Sequence, residues 1–296
     1  MQAGPTYLFC IGATKAGTSW LYDHLAAHPE CHFRTIKEFH YFTMTTPAHF
    51  ENALRAGRDE ISRLKDATDL TGSAKDWHDR RLTDLRDWQK VLRAKTVDLQ
   101  AYTAFLNDGR ANARVVGDIT PAYALMSGDR LKSVLTVGAD VRVIYLIRDP
   151  VARLWSHVRM IAQRAAPQRF AQEAVALMGR ILAGDLTGEA KGIVARGDYA
   201  AILPKLARSF DPARLLVMFY EDMLTVAGIA RLSAFLGIAP APADLGRKIH
   251  EGPSLALDPA IAVRARDYLK PHYSYVANQF ADIPQAWRKN MIEGVA

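Results

Sequence analysis

Four short runs of nearly continuous apolar, β-branched and aromatic residues punctuate the chain, at residues 6–11 (TYLFCI), 114–117 (RVVG), 141–147 (VRVIYLI) and 214–220 (RLLVMFY). Runs without polar alternation predict strands covered on both faces, as in parallel sheets. The longer stretches between them carry apolar residues at helical spacing, so strand and helix alternate and the pattern predicts the α/β class. Residues 45–110 hold no strand pattern. They read as charge-rich helices with Trp77, Trp88, Leu92, Leu99, Tyr102 and Phe105 on an apolar face, and predict a helical insertion. Residues 160–195 predict further helix with a glycine-bounded stretch from Gly184 to Gly192, a candidate lid or wall over a site. Residues 245–254 (LGRKIHEGPS) predict a loop before a last helix at about Pro259 to Leu269. With no internal repeat, residues 1–296 are expected to form a single domain with the insertion at about 45–110.

Composition narrows the partners. Apolar residues make up 49% of the chain, enough for a substantial core. The net charge of +7 favours an anionic ligand, which suits a nucleotide, a nucleic acid or an acidic glycan alike. Residues 51–95 hold eleven Lys or Arg against nine Asp or Glu, interspersed, which reads as solvated helix faces rather than a nucleic-acid site. Cys10 and Cys31 make neither a disulfide framework nor a metal cluster, and no metal is expected. The first strand begins without a preceding charged and apolar leader, and no apolar stretch approaches the roughly 18 residues of a membrane span. The expectation is a cytoplasmic protein without integral membrane association.

The candidate chemistry begins at residues 7–21, a strand running through a glycine loop into a helix. Gly12 and Gly17 have the spacing of the phosphate-cradling G-x-x-x-x-G-K-[ST] loop, whose backbone N–H groups and helix N-terminus face an anion. Thr18 stands at the usual lysine position, and the only lysine, Lys15, lies inside the loop, nearer an inner 5′-phosphate than a terminal one. The placement points to a nucleotide other than ATP. Residues 141–157 read as a buried strand ending at Arg148, with Asp149 as cap and Pro150 in the first helical turn. Arg148 and Ser156 can converge on one phosphate, or form a capped turn with an exposed arginine. In residues 34–42, Arg34, Lys37, Glu38 and His40 gather charge within nine residues. If extended, the segment puts Glu38 and His40 on one face, either as a reactive pair or as a surface ion-pair patch.

Taken together, these strings resemble sulfotransferases that use 3′-phosphoadenosine 5′-phosphosulfate (PAPS), especially bacterial and heparan-sulfate-type members. GATKAGTSWLYDHLAAHP resembles the family's 5′-phosphosulfate loop, and RDPVARLWS its 3′-phosphate signature. EFHYF resembles its catalytic Glu-x-His-Phe-Phe segment, and GDITPAY a segment near the acceptor. The resemblance runs along nearly the whole chain and is densest at residues 8–42 and 143–157. It implies a P-loop-like three-layer fold with a central parallel sheet flanked by helices, and PAPS as donor with adenosine 3′,5′-bisphosphate as product. It implies that Gly12, Ala13, Thr14, Lys15, Ala16, Gly17, Thr18 and Ser19 hold the 5′-phosphosulfate, and that Arg148 and Ser156 hold the 3′-phosphate. Lys15 would stabilise the leaving phosphate, Glu38 would be general base with His40 supporting it, and Lys37 would bind acceptor or donor sulfonate. Arg247 and Lys248 are weak substitutes for a C-terminal phosphate loop, with a surface connection as the alternative. Asp118 and Tyr123 are candidates to line the acceptor cleft, with capping or packing as the alternative. Tyr220, Glu221 and Asp222 are expected to be structural. Ile119 stands where heparan-type members have a lysine, which argues against a polyanionic glycan. The acceptor class stays open among small molecules, lipids and glycans, with no nucleic acid. Two other functions remain: a P-loop kinase or NTPase, and a non-enzymatic polyanion-binding protein.

Overall fold

The four apolar runs are strands of one parallel sheet, joined by a fifth, two-residue strand. The computed structural model describes residues 4–67, 69–246 and 252–292. In chain order the strands are β1 (Thr6–Gly12), β2 (Cys31–His32), β3 (Val115–Ile119), β4 (Val141–Ile147) and β5 (Leu215–Phe219), arranged β2-β3-β1-β4-β5. Every pairing is parallel, with Thr6 opposite Val115 and Tyr7 opposite Val141. Leu8 to Ile11 and Val143 to Ile147 have no exposed surface, which is why these runs lack polar alternation. Each such aliphatic side chain contributes about 1.5–3 kcal/mol by leaving water. The chain passes from β1 out to β2, back to β3, and then across to β4 on the other side of β1. That reversal is where open α/β sheets present a ligand crevice, at the carboxyl ends of the strands.

Helices flank the sheet. They are α1 (Thr18–Ala26), α2 (Pro47–Lys65), α3 (Gly72–Leu92), α4 (Leu99–Asn107), α5 (Gly128–Ser133), α6 (Pro150–Ala165) and α7 (Phe170–Leu182). Then follow α8 (Glu189–Ala195), α9 (Tyr199–Ser209), α10 (Tyr220–Met223), α11 (Val226–Leu236), α12 (Pro259–Gln279) and α13 (Gln285–Ile292). No helix among the described residues is long and apolar enough to cross a membrane.

Residues 45–110 fold mainly as α2, α3 and α4, without a strand among the described residues. Trp88, Leu92, Tyr102 and Phe105 are buried and Leu99 half-buried, but Trp77 is 54% exposed. Buried positions on α3 begin only at Asp84, so the apolar stripe ends before it reaches Trp77. One other expectation changes. The last predicted helix does not stop near Leu269: α12 continues through Pro271 to Gln279, and α13 follows, with Trp287 fully buried. Burial of Tyr273 and Val276 beyond the proline keeps the helix going where local sequence favours a stop.

Candidate functional site

The loop after β1 is shaped by two close approaches. A Cβ at Gly12 would lie 2.6 Å from Tyr145 Cε2, and one at Gly17 would overlap the Tyr220 ring. Gly17 also has φ 88°, a left-handed value that suits glycine at the entry to α1. The N-cap of α1 makes no side-chain hydrogen bond, and Thr18 and Ser19 of its first turn line the cleft described below. Ala13 and Ala16 are buried beneath the loop, while Thr14, Lys15, Gly17, Thr18 and Ser19 line a cleft of about 1160 Å³.

Lys15 sits at φ 70° in that loop. Burial lowers its pKa, and the cations of Arg148, Arg159, Arg164 and Lys37 lower it further. Such mutual repulsion is relieved by an anion. Arg148, at the end of β4, donates from Nη1 to the Lys15 carbonyl at 3.1 Å, and its guanidinium lies 4.8 Å over the Tyr220 ring. Its backbone is fixed as well: Tyr199 Oη accepts from the Arg148 N–H at 3.1 Å and donates to its carbonyl at 2.7 Å. Asp149 caps α6 by accepting from the Ala152 N–H at 2.9 Å. Its other oxygen accepts from Tyr273 and Asn290, at 2.7 and 2.9 Å. Glu221 accepts from the Asp149 N–H at 3.0 Å and from Trp287 Nε1 at 3.1 Å. The C-terminal helices thus brace the strand end that presents Arg148.

One face of α6 continues the cleft with Ser156, His157, Arg159, Met160, Gln163 and Arg164. Burial and the nearby Arg153 and Arg196 cations hold the His157 imidazole down at about 2, so it is neutral. Arg153 can only donate, so His157 Nδ1, 3.5 Å from its Nη1, accepts.

On the opposite wall, Glu38 lies between Lys37 Nζ at 2.6 Å and His40 Nε2 at 3.6 Å. Partial burial pushes the Glu38 carboxyl up, but the His40 imidazole and the Lys37 ammonium outweigh it and hold it at about 2. The segment is not extended, so the condition under which the sequence put Glu38 and His40 on one face is not met. Glu38 and His40 take φ 65° and 56°, and it is this doubled left-handed geometry that lets their side chains meet. Lys15, Glu38 and His40 are three of the six non-glycine residues with positive φ among the described residues. Conformations of that kind cost about 1–3 kcal/mol each and gather at functional sites.

The approach to this segment is tied to the insertion. Arg34, 5% exposed, pairs with Asp84 at 3.1 Å, Asp87 at 2.9 Å and Asp108 at 3.1 Å. Asp84 also accepts from the Thr35 N–H and hydroxyl, both at 2.6 Å. No described residue of 45–110 lines the cleft; the Asp84, Asp87 and Asp108 carboxylates instead hold Arg34, at the start of residues 34–42. Residues 160–195, by contrast, supply a wall through the end of α6, Phe170 and Glu189.

The structure therefore brings Lys15, Lys37, Glu38, His40, Arg148 and Ser156 to one cleft. It does not bring Asp118 and Tyr123 there. Both are fully buried and hydrogen-bonded to each other at 2.6 Å, so the packing alternative holds, and Pro121 and Ala122 reach the cleft instead. Arg247 and Lys248 lie outside the described residues. Sequence reasoning missed Trp20, His157, Arg159, Arg164, Arg196 and the cleft-facing role of Tyr220. The α6 residues were legible in principle, since Arg159 and Gln163 follow Ser156 at helical spacing.

A family model described as the sulfotransferase family matches residues 5–242. Human carbohydrate sulfotransferase 15 is 24% identical over 320 aligned positions, covering 95% of this chain and 54% of its own. The chain thus spans about half the length of that curated relative. A sulfotransferase from Alicyclobacillus acidocaldarius superposes with a TM-score of 0.63 at 19% identity, over 97% of this chain and 99% of its own. The sulfotransferase domain of the Synechococcus PCC 7002 olefin synthase gives 0.51 at 18%, over 96% and 98%. These likenesses show a common fold.

Proposed function

The chain belongs to the sulfotransferase family, and from that premise we propose that it transfers the sulfuryl group of PAPS to a hydroxyl or amine, with Glu38 as general base. The observation that carries the proposal is the meeting of Lys15, Arg148, Ser156 and Glu38 on one cleft. Burial lowers the pKa of Lys15 first and the Arg148, Arg159, Arg164 and Lys37 cations lower it further, and this concentration of cations suits a ligand bearing two separated anionic groups.

When bound, PAPS supplies an activated sulfuryl group. The loop amides and Lys15 hold the 5′-phosphosulfate, and Lys15 neutralises the charge that develops on the departing phosphate oxygen. Arg148 and Ser156 hold the 3′-phosphate and so set the direction of in-line attack. Glu38 takes the acceptor's proton as the new bond to sulfur forms. A carboxylate held at about 2 is a weak base. Lys37 would be placed to contact a bound sulfonate, and any weakening of its ion pair with Glu38 would raise the proton affinity of that carboxylate. Regions beyond Arg159 on α6, with Phe170 and Glu189, form the acceptor wall.

The test is transfer from radiolabelled PAPS into an extract of the source organism, with mass spectrometry of labelled products. A product heavier than its precursor by one sulfuryl group, formed by the wild type and not by Glu38→Gln, is expected. Equal labelling by the variant would remove Glu38 as base, and no labelled product with the wild type would count against the activity.

A further inference from the structure

Asp118 has no exposed surface and lies opposite Phe9 in the pairing of β3 with β1. A carboxylate accepts hydrogen bonds and cannot donate, and three hydroxyls point into this one. Tyr102 and Tyr123 donate to Oδ2 at 2.9 and 2.6 Å, and Thr120 donates to Oδ1 at 2.6 Å. Burial raises the Asp118 carboxyl above its ordinary value, and the hydrogen bonds from Thr120, Tyr123 and Tyr102 hold that rise down.

With their hydrogens committed to Asp118, two of these hydroxyl oxygens are left as acceptors. Thr120 Oγ1 accepts from the His40 N–H at 3.5 Å and Tyr123 Oη from the Phe42 N–H at 3.4 Å, both long for such bonds. The Phe42 carbonyl is claimed by Arg130, at 3.1 Å from Nε and 2.6 Å from Nη2. The backbone just after Glu38 is therefore held at three points. The left-handed values at Glu38 and His40 require such holding, because a free segment would relax out of them.

We propose that Asp118 is a positioning residue: by orienting the Thr120 and Tyr123 hydroxyls as acceptors for the His40 and Phe42 amides, it fixes the turn that aims Glu38 into the cleft. This rests on the reading of Glu38 as base. An Asn at position 118 would present N–H groups to hydroxyls that donate, so a hydroxyl must turn and its hydrogen would face a backbone N–H. The Asp118 network thereby links the strand beneath the phosphate loop to the turn across the cleft.

Thr120→Val removes one hydroxyl at nearly constant shape, and Thr120→Ser keeps it, so the pair stays informative even if Asp118→Asn fails to fold. Amide hydrogen exchange is measured at His40 and Phe42, with β1 and β3 amides as internal references. Thr120→Val is expected to exchange faster at His40 while the references hold, and Asp118→Asn faster at both sites. Affinity for adenosine 3′,5′-bisphosphate should be unchanged, while transfer from saturating radiolabelled PAPS falls by roughly 10- to 100-fold and Thr120→Ser recovers it. Unchanged exchange at His40, or a wild-type transfer rate in Thr120→Val, overturns the proposal. Loss of nucleotide affinity in parallel with rate overturns it too, in favour of a general packing role. If the wild type transfers no label, the sulfotransferase reading fails, and the exchange measurement still decides whether the network holds the turn.

Discussion

Arg148 reaches across from the end of β4 to the carbonyl of Lys15, 3.1 Å away, so these two cations of the cleft are joined through backbone. Repulsion between them, added to burial, lowers the pKa of Lys15. A ligand with one anionic group at each cation offsets that repulsion.

Arg148→Ala is accordingly predicted to weaken adenosine 3′,5′-bisphosphate more than 5′-AMP. Charge-assisted hydrogen bonds are worth about 1.5–3 kcal/mol, so the preference for the bisphosphate should shrink by ~10- to 100-fold. Calorimetric titration of both nucleotides checks this, and an unaltered preference would place the 3′-phosphate elsewhere.

Lys15→Ala should lower transfer by about 100- to 1000-fold, the usual effect of deleting a group that meets developing negative charge. Lys15 is half-buried and makes no ion pair with a carboxylate among the described residues, so the thermal midpoint should barely move. A matched loss of stability and rate would point to the loop's fold instead.

Glu38 carries a sign that can be followed with pH. Its folded value of about 2 is below the ordinary 4.5, so it stabilises the fold fully above the ordinary carboxylate range and loses that contribution as pH falls through about 2. Lys37→Met removes one of the charges that holds it low and leaves burial acting upward. Carbon-13 NMR of the glutamate carboxyls should show the Glu38 midpoint rising in the variant; a fixed midpoint would mean that Lys37 does not set it.

Arg34 is a stability residue of the site. Arg34→Ala removes the guanidinium paired with buried Asp84 on α3, which keeps only its hydrogen bonds from Thr35, while Asp87 keeps Lys90; removing one partner of a buried ion pair costs about 3–5 kcal/mol. Urea denaturation should report a loss of that order, and a loss below about 1 kcal/mol would assign the cluster to the solvated surface.

Much of the scaffold is written locally. Continuous apolar runs mark β1, β3, β4 and β5 because those strands are covered on both faces, whereas β2 is two residues long and too short to carry any pattern. The glycine pair and Lys15 are legible because a tight loop over a ring admits little else. Asp118 and Tyr123 mislead for the converse reason: short-range sequence says that they are polar and near the acceptor segment, but only tertiary packing sets Asp118 beneath it with three hydroxyls. Glu38 and His40 meet through left-handed backbone held from β3, a geometry with no local signature.

The central claim is that the cleft is built for a nucleotide carrying a 3′-phosphate beside a 5′-phosphosulfate. Calorimetric titration of adenosine 3′,5′-bisphosphate without Mg²⁺ tests it most directly. Saturable binding, tighter than that of 5′-AMP and indifferent to added Mg²⁺, is the predicted result. Absence of such binding, with tight ATP binding that requires Mg²⁺, would contradict it.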